Sequence, residues 1–239
     1  MRCSRLGKNT RIGADPVTEG VELWLVRPEY LSDGDRPDAL DENERRRADA
    51  FRRPADRALY VSAHLALRRL LAAHLGSTPQ EVRLVRDRGG RPTLAGDPPP
   101  IHFSLSHSAG LALLGVAPVP IGVDVQRIPP PATVELCSRR LHPVEQDELA
   151  ALPASARAGY FTWLWTRKEA YLKGIGVGLR RSLAADYLGA GGPAAPAGPA
   201  GWAVADVPGE DRHLASVAVL TRASLPVTLR RLPRSVDHD

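Results

Sequence analysis

The sequence predicts a mixed α/β (α+β) protein of two lobes, each a small sheet packed by helices. Three observations carry this. In both halves, short β-rich runs alternate with a long helical segment. Pro118 and Pro120 flank a short joint between two apolar strands near the midpoint. Hydrophobic residues make up 43% of the 239 positions, enough for a core of ordinary size, and the 25% charged residues are average, which excludes a disordered chain.

Residues 1–20 lack periodicity and hold several turn formers, so a disordered leader is expected there. The first lobe is expected over 21–118. Val21 to Val26 is a short β-rich run. Asp41 to Phe51 is a basic helix carrying Arg45, Arg46 and Arg47, which span nearly a full turn and cannot all face one ligand. Pro54 suits the first turn of a second helix. Leu59, Ala63, Ala66, Leu67, Leu70 and Leu71 mark one face of it, and Gly76 its stop. Arg57 sits at its start, where free N–H groups and a basic side chain together suit an anion.

Val82 to Val85 reads as a strand, followed by a tight turn through Arg88-Gly89-Gly90-Arg91-Pro92. Ile101 to Ser106 alternates apolar and polar, so a half-buried strand is expected. His107 to Gly110 turns into a further apolar strand, Leu111 to Val116.

The second lobe is expected over 119–239. Ile121 to Ile128 is a strand ended by Pro129-Pro130-Pro131. Helices follow over 133–140, 143–152 and 155–173. Weaker strands are expected at 183–188, 202–207, 214–220 and 227–231. The Gly-, Ala- and Pro-rich stretch 189–201 has little to bury and reads as a mobile loop.

The formal charge of +5 is mostly an arginine excess. It favours an anionic partner (phosphate groups, an acidic protein or nucleic acid) and equally fits an arginine-rich coding bias. Aromatics are only 5% and are not interleaved with the arginines, which argues against nucleic acid. Cys3 and Cys137 are far apart, so neither a disulfide framework nor a zinc knuckle is expected, and a reducing cytoplasm is the simplest location. No apolar run reaches the roughly 18 residues needed to span a bilayer, and no signal peptide is evident.

The chemistry concentrates in two segments. On the Ile121 strand, Val123 and Val125 point one way, Asp124 and Gln126 the other. An ionised Asp on an apolar strand is costly unless it is paired or binds a metal, so a structural salt bridge and a ligand role both remain open. On the third helix, Phe161, Leu164, Trp165, Leu172 and Ile175 form an apolar stripe beside a polar one of Thr162, Thr166, Glu169 and Lys173. Glu169 and Lys173 alone would be an ordinary i,i+4 ion pair. Two carboxylates from different elements, 45 positions apart, also suit Mg²⁺, which takes few protein oxygens and leaves room for substrate phosphates.

Taken together, Ile121-Gly122-Val123-Asp124 followed by Trp165-Thr166-Arg167-Lys168-Glu169-Ala170-Tyr171-Leu172-Lys173 closely resembles the signature of the 4′-phosphopantetheinyl transferases. Ser106-His107-Ser108 upstream, and Gly174-Ile175-Gly176-Val177-Gly178-Leu179 at the end, point to the Sfp type. The likeness runs from about Glu44 to Leu188. It implies a single chain of two pseudo-symmetric lobes with the site between them, commonly monomeric. It also implies transfer of the 4′-phosphopantetheine arm of coenzyme A to a serine of an apo acyl or peptidyl carrier protein.

By that resemblance Asp124 and Glu169 match the magnesium carboxylates. Glu169 would also take the serine proton, and Lys173 would steady the pyrophosphate. Arg57, Arg47 and Arg45 match positions at the 3′-phosphate of coenzyme A. Arg91 stands where the family usually has lysine near the nucleotide, and Ser106 and His107 match a pair lining the phosphate pocket. Carrier contact is implied for the helices between Thr133 and Leu152. One departure is plain: many members carry a second acid where this chain has Gln126, whose amide oxygen ligates without charge. Gln126 is expected to face the metal directly or through water, with Mn²⁺ a second candidate. The alternative is a non-catalytic module that binds coenzyme A or a carrier protein. No membrane or nucleic-acid partner is expected.

Overall fold

The computed structural model describes residues 20–28, 37–87, 89–97, 99–177, 180–191, 196–221 and 226–232. The expected leader lies outside these except for Gly20, as do Gly178 and Leu179 of the glycine-rich motif and 192–195 of the expected loop. The chain divides into two compact units, 1–119 with 225–239, and 120–224.

In the first unit, β1 (Val21–Val26), β4 (His102–Ser108), β5 (Leu111–Ala117) and β9 (Val227–Arg231) form a sheet in the order β4-β5-β1-β9. β5 runs antiparallel to both β4 and β1, while β9 runs parallel to β1. Helix α1 is Glu42–Asp49 and α2 is Pro54–Leu75, with Pro54 in its first turn. The apolar face of α2 read from the spacing is the face that packs on the sheet. Leu59, Ala63, Ala66, Leu67, Leu70 and Leu71 meet Trp24, Val26, Phe103, Ala112, Leu114 and Val116. Each buried leucine there contributes about 2 kcal/mol. Gly76 ends α2 at φ 63°, a left-handed cap that glycine adopts without a Cβ penalty.

A buried polar network ties α1 to α2. Asp41 and Glu44 form a reciprocal cap on α1, and Arg68 of α2 reaches Glu44 Oε2 at 2.7 Å and Asp41 Oδ2 at 3.0 Å. Arg68 also donates to the carbonyls of Pro79 and Val82. β2 (Leu84–Arg86) pairs with β3 (Pro92–Leu94). β3 is only three residues long and opens on a proline, too little for a period-2 signal.

In the second unit, β6 (Ile121–Arg127), β7 (Trp202–Val207) and β8 (His213–Leu220) form an antiparallel sheet ordered β6-β8-β7. α3 (Pro131–Ser138), α4 (Pro143–Ala150) and α5 (Ala154–Gly174) complete it. α5 lies on this sheet, and Ala170, Tyr171 and Leu172 pack with Leu183, Leu188 and Ala218. Toward its start, Phe161 and Leu164 pack with Val134, Leu141 and Leu149.

Three expectations change. The 227–231 strand does not join the second sheet: β9 pairs with β1, and Leu232 beside it packs in the core under α2. Residues 183–188 make no strand; Leu183–Ala185 is a 3₁₀ turn. The polar groups there serve side chains instead of a ladder, since Lys168 takes the carbonyls of Leu183 and Asp186, and Glu145 takes the N–H of Leu188. β4 is not half-buried, because Ser104 and Ser106 on its polar side are buried along with Phe103.

Candidate active site

The polar stripe of α5 divides in two. Thr162 and Thr166 are buried, and Thr166 Oγ1 lies 2.9 Å from Ser216 Oγ of β8. Only Glu169 and Lys173 reach partly open positions. The close seat of α5 on β6 comes from Gly122. A Cβ at that position would stand 2.9 Å from Gly174 Cα and nearer still to the Ala170 carbonyl oxygen and the Gly174 nitrogen. Two residues along the same strand face, Asp124 therefore lies under the last turns of α5.

Asp124 is 1% exposed, and its Oδ1 accepts a hydrogen bond from Lys173 Nζ at 2.7 Å. Glu169, one turn before Lys173, is held above the usual carboxylate range first by burial and then by the negative charge of Asp124; the charges of Lys173 and Arg140 oppose that rise. Gln126, half-buried, follows on the same face of β6. Among the described residues no group of three or more His, Cys, Asp and Glu side chains gathers around a metal-sized space. The donor set here is two carboxylates and an amide. All three are oxygen donors, the kind a hard cation takes.

The structure thus brings Asp124, Glu169 and Lys173 together in the second unit. Apart from Lys173, the residues expected to bind coenzyme A belong to the first unit. Arg57 opens α2 and pairs with Asp49 at 3.0 Å. Arg47 is exposed on α1, its guanidinium 5.7 Å from the centre of the Phe51 ring. Arg45 points elsewhere, donating to the Leu40 carbonyl at 2.6 Å. Arg91 donates to the Phe103 carbonyl of β4 at 3.1 Å. Ser106 is buried on β4, and His107 beside it is exposed. Sequence reasoning missed Arg140, whose charge reaches Glu169 from the loop after α3. It lies outside both motif segments, and no periodicity marks it.

Two family models match in succession. Residues 36–118 match the N-terminal domain model of a 4′-phosphopantetheinyl transferase, and residues 120–189 match the 4′-phosphopantetheinyl transferase superfamily model. The 4′-phosphopantetheinyl transferase HetI of Nostoc is 32% identical over 215 residues, 85% of this chain and 89% of HetI. The 4′-phosphopantetheinyl transferase Sfp of Bacillus subtilis is 26% identical over 159 residues, 62% of this chain and 70% of Sfp. The slr0495 protein of Synechocystis is 34% identical over 147 residues, and that match spans 60% of each chain. With the α/β units and the Asp124–Glu169–Lys173 cluster, these matches place the chain in the 4′-phosphopantetheinyl transferase superfamily. Within it the chain is of the Sfp type.

Proposed function

We propose that this chain moves the 4′-phosphopantetheine group of coenzyme A to a serine of an apo acyl or peptidyl carrier protein, giving the holo carrier and adenosine 3′,5′-bisphosphate. The observation that carries this is the convergence of Asp124 and Glu169, with Lys173 bonded to Asp124, at the seam between β6 and α5. Phosphoryl transfer needs a positioned nucleophile and neutralised charge more than covalent help from the protein.

Each residue has a part. Glu169 takes the proton of the incoming serine hydroxyl, directly or through a water. The serine oxygen then bonds to the pantetheine-side phosphorus. The bond from that phosphorus to the bridging oxygen breaks, and the electron pair leaves on adenosine 3′,5′-bisphosphate. Lys173 has three donors: one holds Asp124, and the others are available to the pyrophosphate as charge moves to the leaving group. Asp124, Glu169 and Gln126 would hold a Mg²⁺ ion, which would supply Lewis acidity to the phosphates. Arg57, Arg47 and Arg91, with Ser106 and His107, receive the phosphates and nucleotide of coenzyme A. The positive balance of the chain favours encounter with an acidic carrier. Among the described residues no helix is long and apolar enough to cross a membrane.

Intact-mass spectrometry of an apo carrier incubated with this protein, coenzyme A and Mg²⁺ tests the proposal. One added phosphopantetheine mass, lost with EDTA, is the expected result. No gain on several carriers while coenzyme A still binds would leave only a binding module.

Gln126→Glu adds the missing negative charge to the same strand face. Turnover should stay within about threefold of the parent, while the Mg²⁺ concentration for half-maximal rate falls about tenfold, since ligand charge count tunes affinity for hard cations. A metal titration of the rate checks this, and a loss of turnover would show that the amide itself does something needed.

A further inference from the structure

Beside Glu169 on α5 lies a lysine that points away from the reaction. Lys168 is 2% exposed, and its ammonium meets Glu145 Oε2 at 2.8 Å, the Leu183 carbonyl at 2.7 Å and the Asp186 carbonyl at 2.6 Å. All three of its donors are used. Glu145 is fully buried on α4, and it in turn accepts the N–H groups of His142 and Leu188. One buried ion pair therefore joins α5, the start of α4 and the segment 183–188.

A pair of this kind is a poor source of net stability, because desolvation offsets much of the attraction and apolar replacements often do as well. What it supplies is direction. Three acceptors from two separate segments fix the ammonium in space, and a helix residue tethered that way can neither turn nor slide. Lys168 and Glu169 are neighbours, about 100° apart around α5. A slide of α5 by one residue would move Glu169 by about 1.5 Å. Gly122 sets how deeply α5 sits on β6.

We propose that Lys168, through Glu145, is a positioning residue that fixes the rotation and register of α5 and so aims Glu169 at Asp124. This rests on the transferase reading above. The test uses the full chain as Lys168→Met, Glu145→Gln and the double variant, with kcat, KM for coenzyme A and melting temperature measured on each. Lys168→Met should lower kcat about 100-fold, the cost of a misplacement near 1 Å, and leave the KM for coenzyme A within about twofold. The double variant removes the uncompensated buried charge, so its melting temperature should recover while kcat does not. Recovery of kcat together with melting temperature would reduce the pair to scaffolding and overturn the proposal, as would a normal kcat in Lys168→Met. If Lys168→Met does not fold, the double variant alone decides: a kcat near that of the parent overturns the proposal. If the parent chain transfers nothing, the transferase reading fails first. A crystal structure of the double variant then decides separately. A Glu169 carboxylate displaced from Asp124 supports positioning, and an unmoved one refutes it.

Discussion

Asp124→Ala and Glu169→Ala should each lower carrier modification by at least about 10³-fold, with far-UV circular dichroism unchanged. The two losses have different physical origins, and stability separates them. Asp124 is buried and takes the Lys173 ammonium, so its removal strands a positive charge and should also lower the melting temperature. Glu169 behaves in the opposite sense. Burial and Asp124 hold its carboxyl above the usual range, so the folded state binds its proton more tightly than the unfolded state does. Above that raised value the ionised group works against folding. Glu169→Gln should therefore melt at the same temperature as the parent or higher near pH 8, while transfer is lost. A Glu169→Gln variant that melts well below the parent at that pH would show that the carboxylate is held by an interaction that stabilises it. Near-normal transfer in either alanine variant would remove that residue from the mechanism.

Gly122→Ala should be nearly as damaging, through one methyl group. The new Cβ would overlap the Ala170 carbonyl and the Gly174 backbone, none of which swings aside as a side-chain tip would. α5 must lift from β6, at about 3 kcal/mol, near the upper end for overpacking. For a chain of this size that is about a 10 °C fall in melting temperature. The same lift separates Glu169 and Lys173 from Asp124, so kcat should drop about 100-fold even well below the melting point. Thermal melts and transfer rates on the purified variant check both. A variant that keeps the parent rate would show that the closeness of β6 and α5 is dispensable.

The long elements were legible because their periodicity is strong. α2 and α5 follow the 3.6-residue stripe, Pro54 and Gly76 bound α2 as their backbone chemistry requires, and β5, β6 and β8 are apolar runs between turn formers. The strand forecast at 183–188 failed because β propensity says nothing of where the backbone polar groups go. A buried lysine and glutamate from elsewhere claim them. The pairing of β9 with β1 was invisible for a related reason: a strand's own residues do not name its partner, least of all one about 200 positions away.

At the site, Asp124, Glu169 and Lys173 could be singled out because they sit in two compact motifs at a fixed separation. Gly122 was in the motif, but its role is steric and shows only when the helix is seen lying against it. Lys168 was in the motif too. As a charged residue it would be expected on the surface, and only its three oxygen partners explain its burial.

The pairing of β9 with β1 also bears on the order in which the chain completes itself. Synthesis delivers β1, then every strand and helix of the second unit, and only then the strand that covers β1's free edge. On the ribosome the second unit has all its parts first, although it comes later in sequence. Until residues 227–231 emerge, β1 presents an open row of backbone donors and acceptors, the kind of edge that recruits other chains. Arg230, which pairs with Glu22 at 3.2 Å and lies over the Trp24 ring, then fastens that edge. Nascent or C-terminally clipped chains are thus the forms most exposed to aggregation, and the fault would show at the N-terminal strand.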